Sequence, residues 1–134
     1  MDDRSFIEHN RQVVEEFRAN GGKMPIILLT IKGAKSGQAR VYPLMTVPYE
    51  GTYLAVASKG GAPKNPAWYH NLLANPDVTV EAEGEKFEAT ARLLSGEERE
   101  KAFAKGVTVF PNYAEYQKNT SREIPVFLLE RRVS

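Results

Sequence analysis

The sequence has no cysteine among its 134 residues. Disulfides, a thiolate nucleophile, cysteine-ligated zinc and iron–sulfur clusters are thereby excluded, and the chain suits a reducing compartment such as the cytoplasm. Histidine is nearly as scarce. His9 and His70 stand far apart without a metal-ligand pattern, so no metal site is expected. Long apolar runs are lacking as well: the longest, Met24 to Ile31, is interrupted by Pro25 and Thr30, far short of the roughly 20 residues of a membrane-spanning helix. The N-terminus opens on Asp2 and Asp3 with no apolar signal core, so no export signal is expected. No G-x-S-x-G elbow, Walker loop or G-x-G-x-x-G turn is present. With triads and metals poorly provided for, chemistry performed by this chain calls for a cofactor.

A large excess of one charge is also absent, since 18 basic and 17 acidic residues leave a net charge of +1. That balance gives no global case for nucleic acid. The distribution says more. From Lys32 to Lys64 five bases (Lys32, Lys35, Arg40, Lys59 and Lys64) face one acid, Glu50. Taking these from the 18 and 17 of the whole chain leaves 13 bases against 16 acids elsewhere. This basic island is where an anionic ligand is expected.

What is present is ordinary globular material, 42% hydrophobic, 26% charged and 10% aromatic, in one domain spanning 1–134. An amphipathic helix is expected over 4–19, with Phe6, Val13 and Phe17 on its apolar stripe, closed by Asn20-Gly21-Gly22 to give an N-terminal segment of 1–22. Strands follow over Ile26–Lys32, Arg40–Tyr49 and Thr52–Ser58, the last two joined by a tight Glu50-Gly51 turn. Asn65 as N-cap and Pro66 at the first helical position open a short helix to about Asn75. Val78–Glu83 and Lys86–Leu94 form a hairpin around Gly84. Ser95 caps a helix from Glu97 to about Lys105, with Glu98 placed for a capping box. A helical piece from Pro111 to Thr120 and a strand over Ile124–Glu130 complete the chain. About six mostly antiparallel strands with scattered helices make an α+β fold on a closed or split barrel.

Four stretches could carry chemistry. Lys32-Gly33-Ala34-Lys35-Ser36-Gly37-Gln38-Ala39-Arg40 combines glycines that free backbone N–H groups with bases that attract an anion, and Arg40 can grip a phosphate or carboxylate through two parallel hydrogen bonds. A solvated basic hairpin would read the same. Ser58-Lys59-Gly60-Gly61-Ala62-Pro63-Lys64-Asn65-Pro66 runs a glycine loop into a helix N-terminus, a natural anion site. Two such loops in one island tip the balance to ligand binding. Trp68-Tyr69-His70-Asn71 clusters the only tryptophan with polar-tipped neighbours, Trp68 by itself reading as core. Tyr113 and Tyr116 share a helical face, where they either cover a planar ligand or simply pack.

Taken in order, LLTIKGAKSGQARVYPL, ASKGGAPKNPAWYHNLLANPDV and FPNYAEYQKNTSREIPVFLLE resemble the deazaflavin-dependent nitroreductase family, the coenzyme F420-dependent reductases of actinobacteria, over roughly residues 26 to 130. The resemblance implies a six-stranded, mostly antiparallel split β-barrel with flanking helices. It implies hydride transfer from reduced coenzyme F420 to a quinone, an enone or a nitroaromatic. It makes Lys35, Ser36 and Arg40 ligands of the coenzyme's phosphate and acidic tail. Val41, Tyr42, Pro43, Leu44 and Met45, with Val56, Ala57, Ser58 and Lys59, would flank the deazaflavin ring. Ala67, Trp68, Tyr69 and Asn71 would complete the contacts. Tyr113 and Tyr116 would lie over the ring where the acceptor binds, and one of them, Ser58 or water would supply a proton.

The chain departs from the family pattern at Ala34, where a base is usual, and at Met45 and Phe110, where tyrosines shape the nitroreductase pocket. The departure at Ala34 bears on binding of the coenzyme's tail, and those at Met45 and Phe110 bear more on nitroaromatics than on quinones or enones. An FMN-dependent split-barrel enzyme and a non-catalytic F420 carrier are the alternatives. A nucleic-acid-binding barrel lacks the exposed stacking platform it would need. The charged N-terminal helix makes membrane contact peripheral at most, and a monomer or small homo-oligomer is expected.

Overall fold

The computed structural model describes residues 3–19, 21 and 26–132. Met1, Asp2, Asn20 and Gly22 of the expected N-terminal segment, and the Phe6 side chain, lie outside that description. Helix α1 (Asp3–Ala19) is followed by strands β1 (Ile26–Lys32), β2 (Ala39–Met45), β3 (Pro48–Tyr49) and β4 (Thr52–Val56), then a 3-10 turn, Lys59–Gly61. Helix α2 (Ala67–Ala74), strands β5 (Asp77–Ala82) and β6 (Glu85–Leu93), helices α3 (Gly96–Val109) and α4 (Asn112–Lys118), and strand β7 (Val126–Arg131) complete the described elements.

The strands form one antiparallel sheet in the order β2-β1-β5-β6-β7-β4-β3. It curls into a half-barrel that brings β2 back toward β4. Among the described residues there are seven strands rather than six. The expected strand Arg40–Tyr49 breaks at Thr46-Val47, so that β2 pairs with β1 and β3 with β4 at opposite ends of the sheet. Each end strand holds a proline, Pro43 in β2 and Pro48 in β3. Neither can donate a ladder hydrogen bond, which suits an edge. The two tight hairpin turns, β3–β4 and β5–β6, pair a glutamate with a glycine at positive φ, Glu50 (50°) with Gly51 (80°) and Glu83 (50°) with Gly84 (81°). Two successive left-handed residues give the tight turn that matches strand twist.

Alternation along the strands sorts the core onto two faces. On one face Ile27, Leu29, Ile31, Ala55, Ala57, Val78, Val80, Phe127 and Leu129 pack with Trp68 and Leu72 of α2. On the other, Leu54, Val56, Val126 and Leu128 pack with Phe103 of α3 and Tyr113 of α4. Fully burying each large apolar side chain contributes about 1.5–3 kcal/mol. α2 thus covers one face, and α3 and α4 cover the other.

Two expected helix starts differ. Pro66 is the N-cap of α2, with extended backbone, and the helix begins at Ala67; the Asn65 side chain instead accepts a hydrogen bond from Arg122 Nη1 at 2.8 Å. Ser95 is the N-cap of α3 but makes no side-chain cap bond. Glu98 does not close a capping box, because Arg92 takes both its carboxylate oxygens at 2.9 Å.

Candidate active site

The β1–β2 connection is a closed turn. Gly33 N donates to Gln38 O (2.9 Å), Gly37 N to Gly33 O (3.0 Å) and Gln38 N to Ser36 Oγ (3.2 Å). A Cβ at Gly33 would lie 2.7 Å from Ser36 Oγ, so the buried glycine leaves room for the hydroxyl of the exposed Ser36 to lie across the turn. The turn is docked on α2: Ala34 N donates to Asn71 Oδ1 at 2.9 Å, and Asn75 Nδ2 reaches the carbonyls of Lys32 and Gly33 at 3.4 Å each. Asn71 is thereby occupied as a hinge pin between the two elements.

The second loop follows β4. Val56, Ala57 and Ser58 are buried, and Ala57 N donates to Pro125 O at 2.9 Å. The 3-10 turn after them has Lys59 at φ 46° and Gly61 at φ 82°. Arg122 clamps this loop. Its guanidinium donates to Ser58 O (2.7 Å), Asn65 Oδ1 (2.8 Å), Ala62 O (2.9 Å) and Ala57 O (3.1 Å). Burial holds the Arg122 guanidinium below its usual pKa, since all four acceptors are neutral. The loop leads directly into α2, so one short helix joins both halves of the basic island.

Lys32, Lys35, Arg40, Lys59 and Lys64 are all exposed, and none forms an ion pair with a described residue. Elsewhere Arg18, Arg92, Arg99, Arg131 and Arg132 each pair with a carboxylate. Lys86, Lys101 and Lys105, like the island's bases, have no described ion pair, so what sets the island apart is the clustering of its bases on two loops that meet at one helix. A cleft of about 200 Å³ between Phe17, Arg18, Glu81, Glu85 and Lys86 shares no residue with either loop, and its Arg18 and Glu81 neutralise one another at 3.0 Å. It does not match an anionic ligand.

The aromatic candidates divide. Trp68 is buried against Phe127, with ring centroids 6.2 Å apart, and stands behind the site. Tyr69 is half-buried between Phe127 (5.9 Å) and His70 (5.1 Å), while Tyr42 and Leu44 pack partly buried against the same core. Met45, Phe110 and Tyr116 pack against the other face with Val56 and Tyr113. Tyr113 is 5% exposed, and burial, with Tyr116 beside it, pushes its hydroxyl up to about 12. Tyr116 is only half-buried, its ring 6.4 Å from Tyr113 and 6.0 Å from Phe110. α4 reaches the second loop through backbone: a Cβ on Gly61 would lie 2.9 Å from Tyr116 O. Val41 and Pro43 are half-exposed in β2, and Ala67 is exposed at the start of α2.

Two residues escaped sequence reasoning. Arg122 reads as an isolated surface base, although it lies inside the TSREIPV text of the third resembling stretch. Thr46 Oγ1 is buried without a hydrogen-bond partner among the described residues, at the break between β2 and β3. Only the break itself would have singled it out.

A half-barrel with exposed bases on two glycine loops, tied through one helix, thus stands beside a partly buried aromatic cluster. The sequence profile of the F420H(2)-dependent quinone reductases matches residues 4–131. A Mycobacterium tuberculosis protein named F420H(2)-dependent quinone reductase is 41% identical over 114 residues, 83% of this chain and 76% of the relative. A solved structure described as an F420-H2-dependent reductase (FDR-A) superposes with TM-score 0.75 at 52% identity, covering 79% of this chain and 94% of that one. Another, described as a domain-swapped dimer, gives TM-score 0.78 at 46% identity, covering 90% and 96%. The chain belongs to the F420H2-dependent quinone reductase family. It is an oxidoreductase, and its cofactor is coenzyme F420.

Proposed function

We propose that the two basic loops hold the phosphate and acidic tail of the coenzyme, and that the acceptor enters beside Tyr116. The unpaired bases are the observation that carries this reading. Lys35 and Arg40 on one loop, and Lys59 and Lys64 on the other, have no described counter-ion and are joined through the Asn71–Ala34 bond. The orphaned Thr46 hydroxyl, buried between β2 and β3, is a further group that a ligand could satisfy. On this reading the half-barrel is a split barrel of the flavin-binding type. Ser36 lies in the tail-binding turn. Val41, Tyr42, Pro43, Leu44 and Met45 line one side of the ring, and Val56, Ala57, Ser58 and Lys59 the other. Ala67, Tyr69 and Asn71 complete the wall, with Trp68 supporting it from the core.

When bound, the reduced deazaflavin supplies a hydride to the acceptor. The chain's part is to bind, orient and manage the proton. Tyr113, with its hydroxyl at about 12, remains neutral and braces the neighbouring ring. Tyr116, partly exposed, is the better placed donor to the developing oxyanion of a quinone. Ser58 is buried at the loop's start, and its side chain makes no cap bond, so it can face the ring. Quinones and enones are the proposed acceptors, ahead of nitroaromatics. No described helix is long and apolar enough to cross a membrane. A cytoplasmic monomer or small homo-oligomer, touching membranes peripherally at most, completes the reading.

The test is a titration with F420 and, separately, FMN, followed by the fluorescence of Trp68, the only tryptophan. Micromolar saturation by F420 without response to FMN supports the site. Tighter binding of FMN, or silence with F420 both here and by equilibrium dialysis, refutes it.

A further inference from the structure

Arg122 lies after α4, yet its guanidinium reaches back across four oxygens spread over Ala57, Ser58, Ala62 and Asn65. No carboxylate neutralises it among these contacts, so an arginine is half-buried for the sake of loop geometry alone. Its own backbone is held in turn. Gln117 Nε2 donates to Arg122 O at 2.8 Å, and Gln117 Oε1 accepts from Ile124 N (3.0 Å) and Arg99 Nη2 (2.9 Å). Buried Arg99 grips Ile124 O through Nη2 at 2.8 Å and Nε at 3.2 Å. α3, α4 and the 119–125 connection therefore form one braced unit with Arg122 as its arm. The same loop meets that unit again where Gly61 lies under the Tyr116 backbone.

We propose that Arg122 is a positioning residue: its fork fixes the 57–65 loop so that Lys59 and Lys64 face the bound coenzyme, and it keeps that loop in register with the tyrosine helix α4. The inference rests on reading this loop as part of the coenzyme site. Arg122 acts through the loop rather than on the ligand. Its planar fork is what the role requires, because a lysine offers one compact ammonium where four separated acceptors have to be met.

The experiment compares the F420 dissociation constants of the wild type, Arg122→Met and Arg122→Lys, all measured well below their unfolding temperatures. Each is then repeated in a Lys59→Ala background. Arg122→Met should weaken binding roughly tenfold or more, by analogy with residues that orient the ligands of a metal, with Arg122→Lys intermediate. The fold-loss from Lys59→Ala should shrink once Arg122 is gone, because residues acting through one another are not additive. A lowered melting temperature with unchanged affinity, or a Lys59→Ala loss of equal size in both backgrounds, overturns the proposal. If Arg122→Met does not fold, the Arg122→Lys cycle decides by the same criteria. If the wild type itself fails to bind F420, the coenzyme-site reading has failed. Hydrogen exchange at the Gly61 and Ala62 amides then judges the clamp: faster exchange in Arg122→Lys supports it, and unchanged exchange refutes it.

Discussion

Gly51 and Gly61 have nearly the same backbone, at φ 80° and 82°, in opposite surroundings. A Cβ on Gly51 would meet nothing within 4 Å among the described residues. One on Gly61 would lie 2.9 Å from Tyr116 O, 3.0 Å from its Cα and 3.3 Å from its carbonyl carbon. Replacing either by alanine places an L side chain in the left-handed region, which costs roughly 1–2 kcal/mol. For Gly51→Ala that is the whole effect. Gly61→Ala adds a methyl group forced against backbone that cannot rotate away, about 1–3 kcal/mol more. Subtracting one variant from the other cancels the conformational part and leaves the closeness of α4 to the loop. Urea unfolding of both, with slopes checked for equality, measures the difference. A gap of about 1–3 kcal/mol is expected, accompanied by a raised KM for the quinone as Tyr116 is displaced. Equal destabilisation within about 0.5 kcal/mol, the usual scatter of independent effects, would show that α4 does not rest on the loop and would sink the account of how the tyrosines are placed.

Tyr113 titrates near 12 when folded against about 10 when unfolded, so folding favours its neutral form. That contribution is intact below pH 10 and is lost as pH rises toward 12. Wild type should therefore lose about 2 kcal/mol more than Tyr113→Phe across this window, and parallel pH profiles of stability would refute the burial argument. Arg40→Ala should raise the F420 dissociation constant roughly tenfold, as loss of a charge-assisted hydrogen bond does, while the unfolding midpoint stays put because Arg40 has no described partner; an unchanged dissociation constant removes Arg40 from the site. Tyr116→Phe should lower kcat for quinone with F420 affinity intact, and a variant unaltered in kcat makes Tyr116 a packing residue.

Much of this arrangement was legible because it is local. Glu50-Gly51 and Gly84 announce their turns, β1 follows from its β-rich apolar run at Ile26–Lys32, and the helix expected over 4–19 from its apolar stripe is found at Asp3–Ala19. What failed depended on distant partners. Glu98 has the spacing of a capping box, but Arg92 on β6 offers two stronger charge-assisted bonds than a backbone N–H can. Asn65 has the chemistry of an N-cap, yet Arg122, far along the chain, claims its oxygen. The break at Thr46-Val47 lies inside an apolar, strand-like run, and only pairing with β1 on one side and β4 on the other reveals it. Of the candidate site, the bases were readable as an island, whereas the clamp that shapes their loop was not.

Among the described residues the sheet does not close on itself and ends in two edge strands. Any sheet that stops short of closure ends in strands whose unsatisfied amides invite a foreign strand to add on, the first step toward fibrils. Here the two outermost strands, β2 and β3, carry Pro43 and Pro48, while the five between them, β1, β4, β5, β6 and β7, carry none. Each proline deletes a donor at a rim where stacking would begin. The two ends of the open sheet are in this way less apt to seed aggregation.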